Sequence, residues 1–253
     1  MPVPSRQTIA PQVFERFQRW IQVAETYVDP DSFEFKSALR DAERLASAKD
    51  PSAPLHSWLL RGMLFQVTGN IDEVVYCCTN ARRLSPKDTE NADNIEIVAL
   101  CNLGYFTRAH DLLVVNGEED IRSSLLLALV TGAFAWASKW GSGASFAEEE
   151  ECKAIVAMAR RCVVTLERLG ITEDHVRRVL DLAGEVVRKH RIFFVGDAPI
   201  IRTTHEGLLY QQKLSLSPER ASELTLEVID LMIEADLDTS GIYFSFLGVA
   251  DAN

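Results

Sequence analysis

Residues Leu55–Asp88 read LHSWLLRGMLFQVTGNIDEVVYCCTNARRLSPKD, and this stretch decides the fold. Its apolar residues recur at helical intervals. They predict one helix from about Pro54 to Thr68, a turn at Gly69-Asn70 and a second helix to Leu84. Gly69 can take the positive φ of a helix end, with Asn70 or Thr68 supplying turn chemistry. Pro86 stops the second helix, because it has no amide donor and restricts the residue before it. Such a hairpin cannot bury its apolar stripe alone, so the reading requires stacked neighbours. Gly62 and Ala81 are small enough for two helices to approach, and Trp58 and Phe65 fill the gaps beside them.

Trp58, Gly62, Phe65, Gly69, Ala81 and Pro86 stand at the spacings at which this segment resembles a tetratricopeptide repeat. Three positions depart from that pattern. Arg61 stands where the family has Leu, Val74 where it has a small Ala, and Cys78 where it has a large aromatic. Residues 89–117 resemble a degraded second copy, with a helix over Asn94–Leu103, a turn at Gly104 and a partner helix over Phe106–Val115. The Gly69-to-Gly104 separation is close to the family's period. Asn116-Gly117 ends that unit early. The resemblance implies a concave helical surface that holds a protein or peptide, the architecture of adaptors, regulators and chaperones of secreted proteins.

Working outward, Val13, Phe14, Phe17, Trp20, Ile21, Ala24 and Tyr27 mark one face of a helix over residues 11–28. Asp29-Pro30-Asp31 ends it, and Asp31 or Ser32 caps a second helix that runs to about Ala48. This pair is a possible third unit without a readable motif. Glu118–Trp140 reads as one strongly apolar helix. After the loop Gly141–Ala144, Ser145 and Glu148 form a capping box for a helix ending at Gly170. Thr172 caps the next helix, which reaches about His190, and the short turn predicts that these two are antiparallel neighbours. Beyond Arg191 the texture changes. Ile192–Val195 is a short apolar run, and Gly196-Asp197 a turn. Ile200–Thr204 and Leu208–Leu216 read as strands around His205-Glu206-Gly207. Ser217-Pro218 starts a helix, and Gly241–Leu247 is a final strand. The expected fold is mostly α: an antiparallel helical-hairpin array over 1–190, then a small α+β unit (β-β-β-α-β) over 191–253 that is a domain or a sheet cap.

The 253 residues are 47% hydrophobic and 25% charged, enough to build a core without disulfides. The formal net charge of -11 excludes a general affinity for nucleic-acid backbones, which requires clustered Lys and Arg. It permits a basic partner, as an acidic inhibitor of the antitoxin or immunity type would have. Cys77, Cys78, Cys101, Cys152 and Cys162 all fall in expected helices and read as buried apolar residues of a reducing compartment. The opening MPVPSRQTIAPQ lacks the apolar run of a secretory signal, and no apolar run is long enough to cross a bilayer. The expected location is cytoplasmic, with no membrane partner.

The function expected is a non-enzymatic protein-protein interaction module. Its contact positions are polar residues of the hairpin face: Arg61, Gln66 and, from the next helix, Asn94. The alternative is an enzyme or ligand sensor whose site lies at the junction of helices and α+β unit, with Asp197, Arg202, His205 and Glu206 as first candidates. No hydrolase or metal spacing supports it: His205-Glu206 is not followed by a second His at helical distance, and His56, His110, His175 and His190 are scattered singly. GSGAS at 141–145 precedes a helix, but the following glutamates repel a phosphate and no lysine completes a phosphate loop. The arginines between 160 and 191 alternate with acids and read as internally paired. No catalytic residue, metal or cofactor is expected. In the last strand Ile242, Phe244 and Phe246 share one face. At a sheet edge this strand could pair with a second copy as a homodimer.

Overall fold

The structure is a computed structural model, which describes residues 9–23, 26–87, 89–116, 121–139, 150–194, 198–237 and 241–249. The protein is mostly α, with an α+β unit at its C-terminal end. The chain forms two compact units. One is Met1–Leu103 with Arg191–Phe193, and the other is Gly104–His190 with Phe194–Asn253. One chain crossing thus falls at His190/Arg191, where the texture of the sequence changes. The helices that follow Gly104 belong to the same unit as the sheet.

The first unit contains α1 (Ile9–Val23), α2 (Phe33–Leu45), α3 (Ala53–Val67), α4 (Ile71–Leu84) and α5 (Glu90–Asn102). Local chemistry sets their ends. Ser32 Oγ accepts the Phe35 N–H at the start of α2, and Asn70 Oδ1 accepts the Glu73 N–H at the start of α4. Gly69 takes φ +76°, and a Cβ there would lie 2.1 Å from the Tyr27 ring, so glycine is required twice over. Successive helices pack on one another, and α3 touches α1, α2, α4 and α5. The core between them is built from Phe35, Ala38, Ala42, Leu64, Val74 and Ile97. The Ser57 hydroxyl, buried among them, donates to Ala42 O at 2.8 Å.

The apolar run expected as the first of the C-terminal strands forms no ladder. Ile192 makes a single antiparallel bridge with Thr26, the Tyr27 N–H donates to Arg191 O, and Phe193 packs on the Tyr27 ring at 4.9 Å. The run spends its side chains on burial and has a connecting segment as its partner, so no strand grows from it. The order is therefore β-β-α-β among the described residues.

The second unit contains α6 (Phe106–Asn116), α7 (Ile121–Thr131), α8 (Phe134–Lys139), α9 (Glu150–Leu169) and α10 (Glu173–Lys189). They are followed by β1 (Ile200–Thr203), β2 (Leu208–Leu214), α11 (Pro218–Glu234) and β3 (Ile242–Gly248). The single apolar helix expected through residue 140 is broken. Gly132 turns left-handed at φ +73°, and the Ala133 N–H closes back on Ala128 O at 2.8 Å, which ends α7. Helices α9 and α10 are not the antiparallel pair expected from their short turn: α9 packs mainly on α7 and α8, and α10 on α6 and α11. The reason is visible at the start of α6. Gly184 of α10 meets the backbone of Gly104, and Asp181 accepts both the N–H (3.1 Å) and the hydroxyl (2.5 Å) of Thr107. Arg188 donates to Gly104 O and stacks 4.3 Å over Tyr105. The face of α10 is thus occupied by α6.

The sheet has the order β1-β2-β3, antiparallel between β1 and β2 and parallel between β2 and β3, so β2–α11–β3 is a crossover unit. One face is buried, with Leu208, Tyr210 and Leu214 beside Ile242, Phe244 and Phe246. Tyr210 stacks on Phe244 and donates its hydroxyl to Val130 O at 2.8 Å, a carbonyl at the end of α7. The last strand lies at an edge. It pairs with β2 on one side, while the Phe246 N–H donates to Thr225 Oγ1 of α11 at 2.9 Å.

Candidate protein-binding surface

Three side chains of the α3–α4 hairpin form an aromatic and cationic cluster. Trp58 and Arg61 lie one turn apart on α3, and the Arg61 guanidinium sits 4.2 Å over the Trp58 ring. Tyr76 of α4 meets the same Trp58 edge-on, 5.6 Å between centroids, and is 53% exposed. Arg61 Nε is shielded and has no hydrogen-bond partner. Position 61 is therefore filled by an arginine held flat by an aromatic neighbour. It is neither a core residue nor a free surface cation.

The second helix of the hairpin is clamped to α5. Arg82 near the end of α4 donates through Nε to Asp93 of α5 at 2.7 Å, and its Nη1 lies 2.7 Å from Glu96. Asp93 also accepts the Thr89 hydroxyl at 2.8 Å. Both carboxylates are buried, so the arginine neutralises charge that would otherwise be stranded, and it fixes α5 against α4. Gly62 faces Cys77, Cys78 and Ile95, but a Cβ there would meet them at 3.5–3.6 Å, ordinary contact. The close approach read into Gly62 from the sequence is thus not needed here.

Of the other two expected contact positions, Asn94 is half-buried on α5. Gln66 is 1% exposed. It lies one turn beyond Gly62, on the side of α3 that faces α4 and α5, so it is a packed residue and presents nothing to a partner. Tyr76 was missed in the sequence. Its signal was its place on α4, off the buried row of Val74, Cys78 and Ala81.

The described residues of the alternative site lie on β1 and in the turn after it. Arg202 is exposed on β1, and His205 and Glu206 are exposed in the β1–β2 turn, 3.5 Å apart. Asp197, the GSGAS loop and the Ser145–Glu148 capping box lie outside the described residues. A cavity of about 420 Å³ in the first unit is lined by Leu45, Lys49, Asp50, Ala53 and His56 among others. Beside it Asp50 accepts the Ser52 hydroxyl at 2.9 Å, and Ser52 lies 3.5 Å from His56 Nδ1. The order is Asp–Ser–His, whereas an activated serine needs its histidine in the middle. Burial pushes the thiols of Cys77 up to about 11, and those of Cys78, Cys101 and Cys162 up to about 12. These are inert thiols at neutral pH. Among the described residues no three His, Cys, Asp or Glu side chains come together as a metal set. None of the described helices is long and apolar enough to cross a membrane.

No protein family, no curated protein and no solved structure matches this chain.

Proposed function

We propose that this chain is a protein-protein interaction module, of adaptor, regulator or chaperone-like kind, that holds a protein or peptide on the α3–α4 face. The observation that carries the reading is the Arg61–Trp58–Tyr76 cluster. Tryptophan, tyrosine and arginine are the residues that dominate binding energy at protein interfaces, and they do so when pre-ordered on a rigid base. Arg61 is already stacked, so little side-chain freedom remains to be lost when a carboxylate or backbone carbonyl approaches it. The buried clamp at Arg82 fixes α4, which carries Tyr76, against α5.

The test is affinity capture with the full chain and with Arg61→Ala and Tyr76→Ala. A partner retained at stoichiometric level by the wild type, and lost with either variant while both remain folded, supports the reading. Equal capture by all three would place binding elsewhere.

A further inference from the structure

Helix α11 carries two apolar rows. Ala221, Leu224, Val228 and Met232 are buried and account for its packing in the second unit. A second row, Leu226, Ile229 and Ile233, faces outward. Leu226 is 62% and Ile233 56% exposed. Their intervals of three and four place them on one stripe. Directly beside that stripe runs an acidic row: Glu219, Glu223, Asp230 and Glu234, all exposed. Glu223 is paired with Arg220 at 2.6 Å, but Asp230 and Glu234 have no ion pair among the described residues. On an ordinary surface helix the side opposite the core is polar throughout. An outward apolar row flanked by unneutralised acids is the complement of a helix with the same apolar stripe and a basic flank.

We propose that the outer face of α11 docks a basic amphipathic helix of another protein, with apolar side chains on Leu226, Ile229 and Ile233 and cations over Asp230 and Glu234. Charge decides the occupant. An antiparallel two-fold pairing of α11 with a second copy sets both acidic rows on the same side of the seam, where they repel. A parallel pairing brings no cation either, because Arg220 is the one basic residue of α11 and is engaged with Glu223 and His190. An anionic lipid surface is repelled by the same row. This surface is separate from the α3–α4 cluster and stands or falls without it.

The probe is a fluorescent leucine–lysine amphipathic peptide of about 18 residues, long enough to hold a helix when bound, with a scrambled peptide of equal composition as control. Binding to the full chain is measured by anisotropy at about 50 mM and about 500 mM salt. The expected result is saturable binding of the ordered peptide that weakens in high salt. It falls about ten-fold in Leu226→Ser/Ile233→Ser and again about ten-fold in Asp230→Asn/Glu234→Gln, a difference of about 1.4 kcal/mol each. All four positions are exposed, so both variants keep the wild-type circular dichroism. The proposal is overturned by no saturable binding, by equal binding of the scrambled peptide, or by equal binding to either double variant. It is also overturned if sedimentation shows a wild-type dimer that Leu226→Ser/Ile233→Ser converts to monomer, since a second copy would then be the occupant.

Discussion

Two glycines in helix interiors should respond to the same substitution with opposite signs. At Gly62 of α3 a Cβ meets Cys77, Cys78 and Ile95 at 3.5–3.6 Å, so the methyl group fits without displacement. Alanine then gains its helix preference, about 1 kcal/mol over glycine. At Gly184 of α10 a Cβ would lie 1.9 Å from Gly104 O and 2.7 Å from Gly104 C, more than an ångström inside contact with backbone that no rotamer can move. The two segments must part, and parting them also stretches the Asp181–Thr107 and Arg188–Gly104 hydrogen bonds. Overpacking costs about 1–3 kcal/mol, and each lost hydrogen bond adds about 1 kcal/mol. Set against the helix gain of about 1 kcal/mol, and with all three hydrogen bonds lost, Gly184→Ala should lose about 3–5 kcal/mol, a fall in Tm of about 6–20 °C for a chain of this size. Urea and thermal unfolding followed by circular dichroism read both variants. A Gly184→Ala protein as stable as the wild type would refute the close approach of α6 and α10. A Gly62→Ala protein that unfolds more easily would show that α3 and α4 lie closer than described.

Tyr210→Phe removes the buried hydroxyl that donates to Val130 O and should cost about 1 kcal/mol, read as a lower urea midpoint at unchanged slope. Burial raises the Glu173 carboxyl above its ordinary value, against the opposing pull of the Ala135 N–H and of His110 and Arg177. A carboxyl raised in the folded state favours folding most when protonated. Its contribution is therefore present in full below the unfolded value of 4.5 and is lost as pH rises through the folded one. Wild-type stability relative to Glu173→Gln should rise as pH falls through that window, and a difference independent of pH would contradict the burial. All five cysteines are buried, so a thiol reagent such as DTNB should label almost none in the native chain within minutes and all five in urea. Rapid labelling of one in the native state would contradict its place in the core.

What the sequence made legible was local. The hairpin at 54–84, its glycine turn, a cap at Asp31 or Ser32, the Ser217 cap and the strands around His205-Glu206-Gly207 all follow from neighbouring residues; the structure has them, with Ser32 as the cap. What it hid was decided by contacts distant in the chain. Ile192–Val195 has the composition of a strand, but Ile192 and Phe193 meet a connecting segment at Thr26 and Tyr27. Glu118–Trp140 reads as one apolar helix, yet Gly132 takes φ +73° and divides it. Gly184 gives no signal of its own, because its meaning lies in Gly104 about eighty residues earlier. The candidate surface was half legible. Arg61 stood out by replacing an expected leucine, but that it stacks on Trp58 beside Tyr76 depends on the rotation of α3 against α4. Gln66 was misjudged for the same reason: polarity suggested a surface, and the second buried side of α3 claimed it.

The most direct measurement is affinity capture with the tagged full chain and the Arg61→Ala/Tyr76→Ala double variant, quantified by mass spectrometry, with both proteins shown to be folded. The account expects a stoichiometric protein partner on the wild type and at least about a ten-fold loss on the double variant, since two central aromatic or arginine anchors are each worth about 1–2 kcal/mol or more. A folded wild-type chain that captures no protein, or a double variant that captures it as well, would contradict the claim that this face binds a partner.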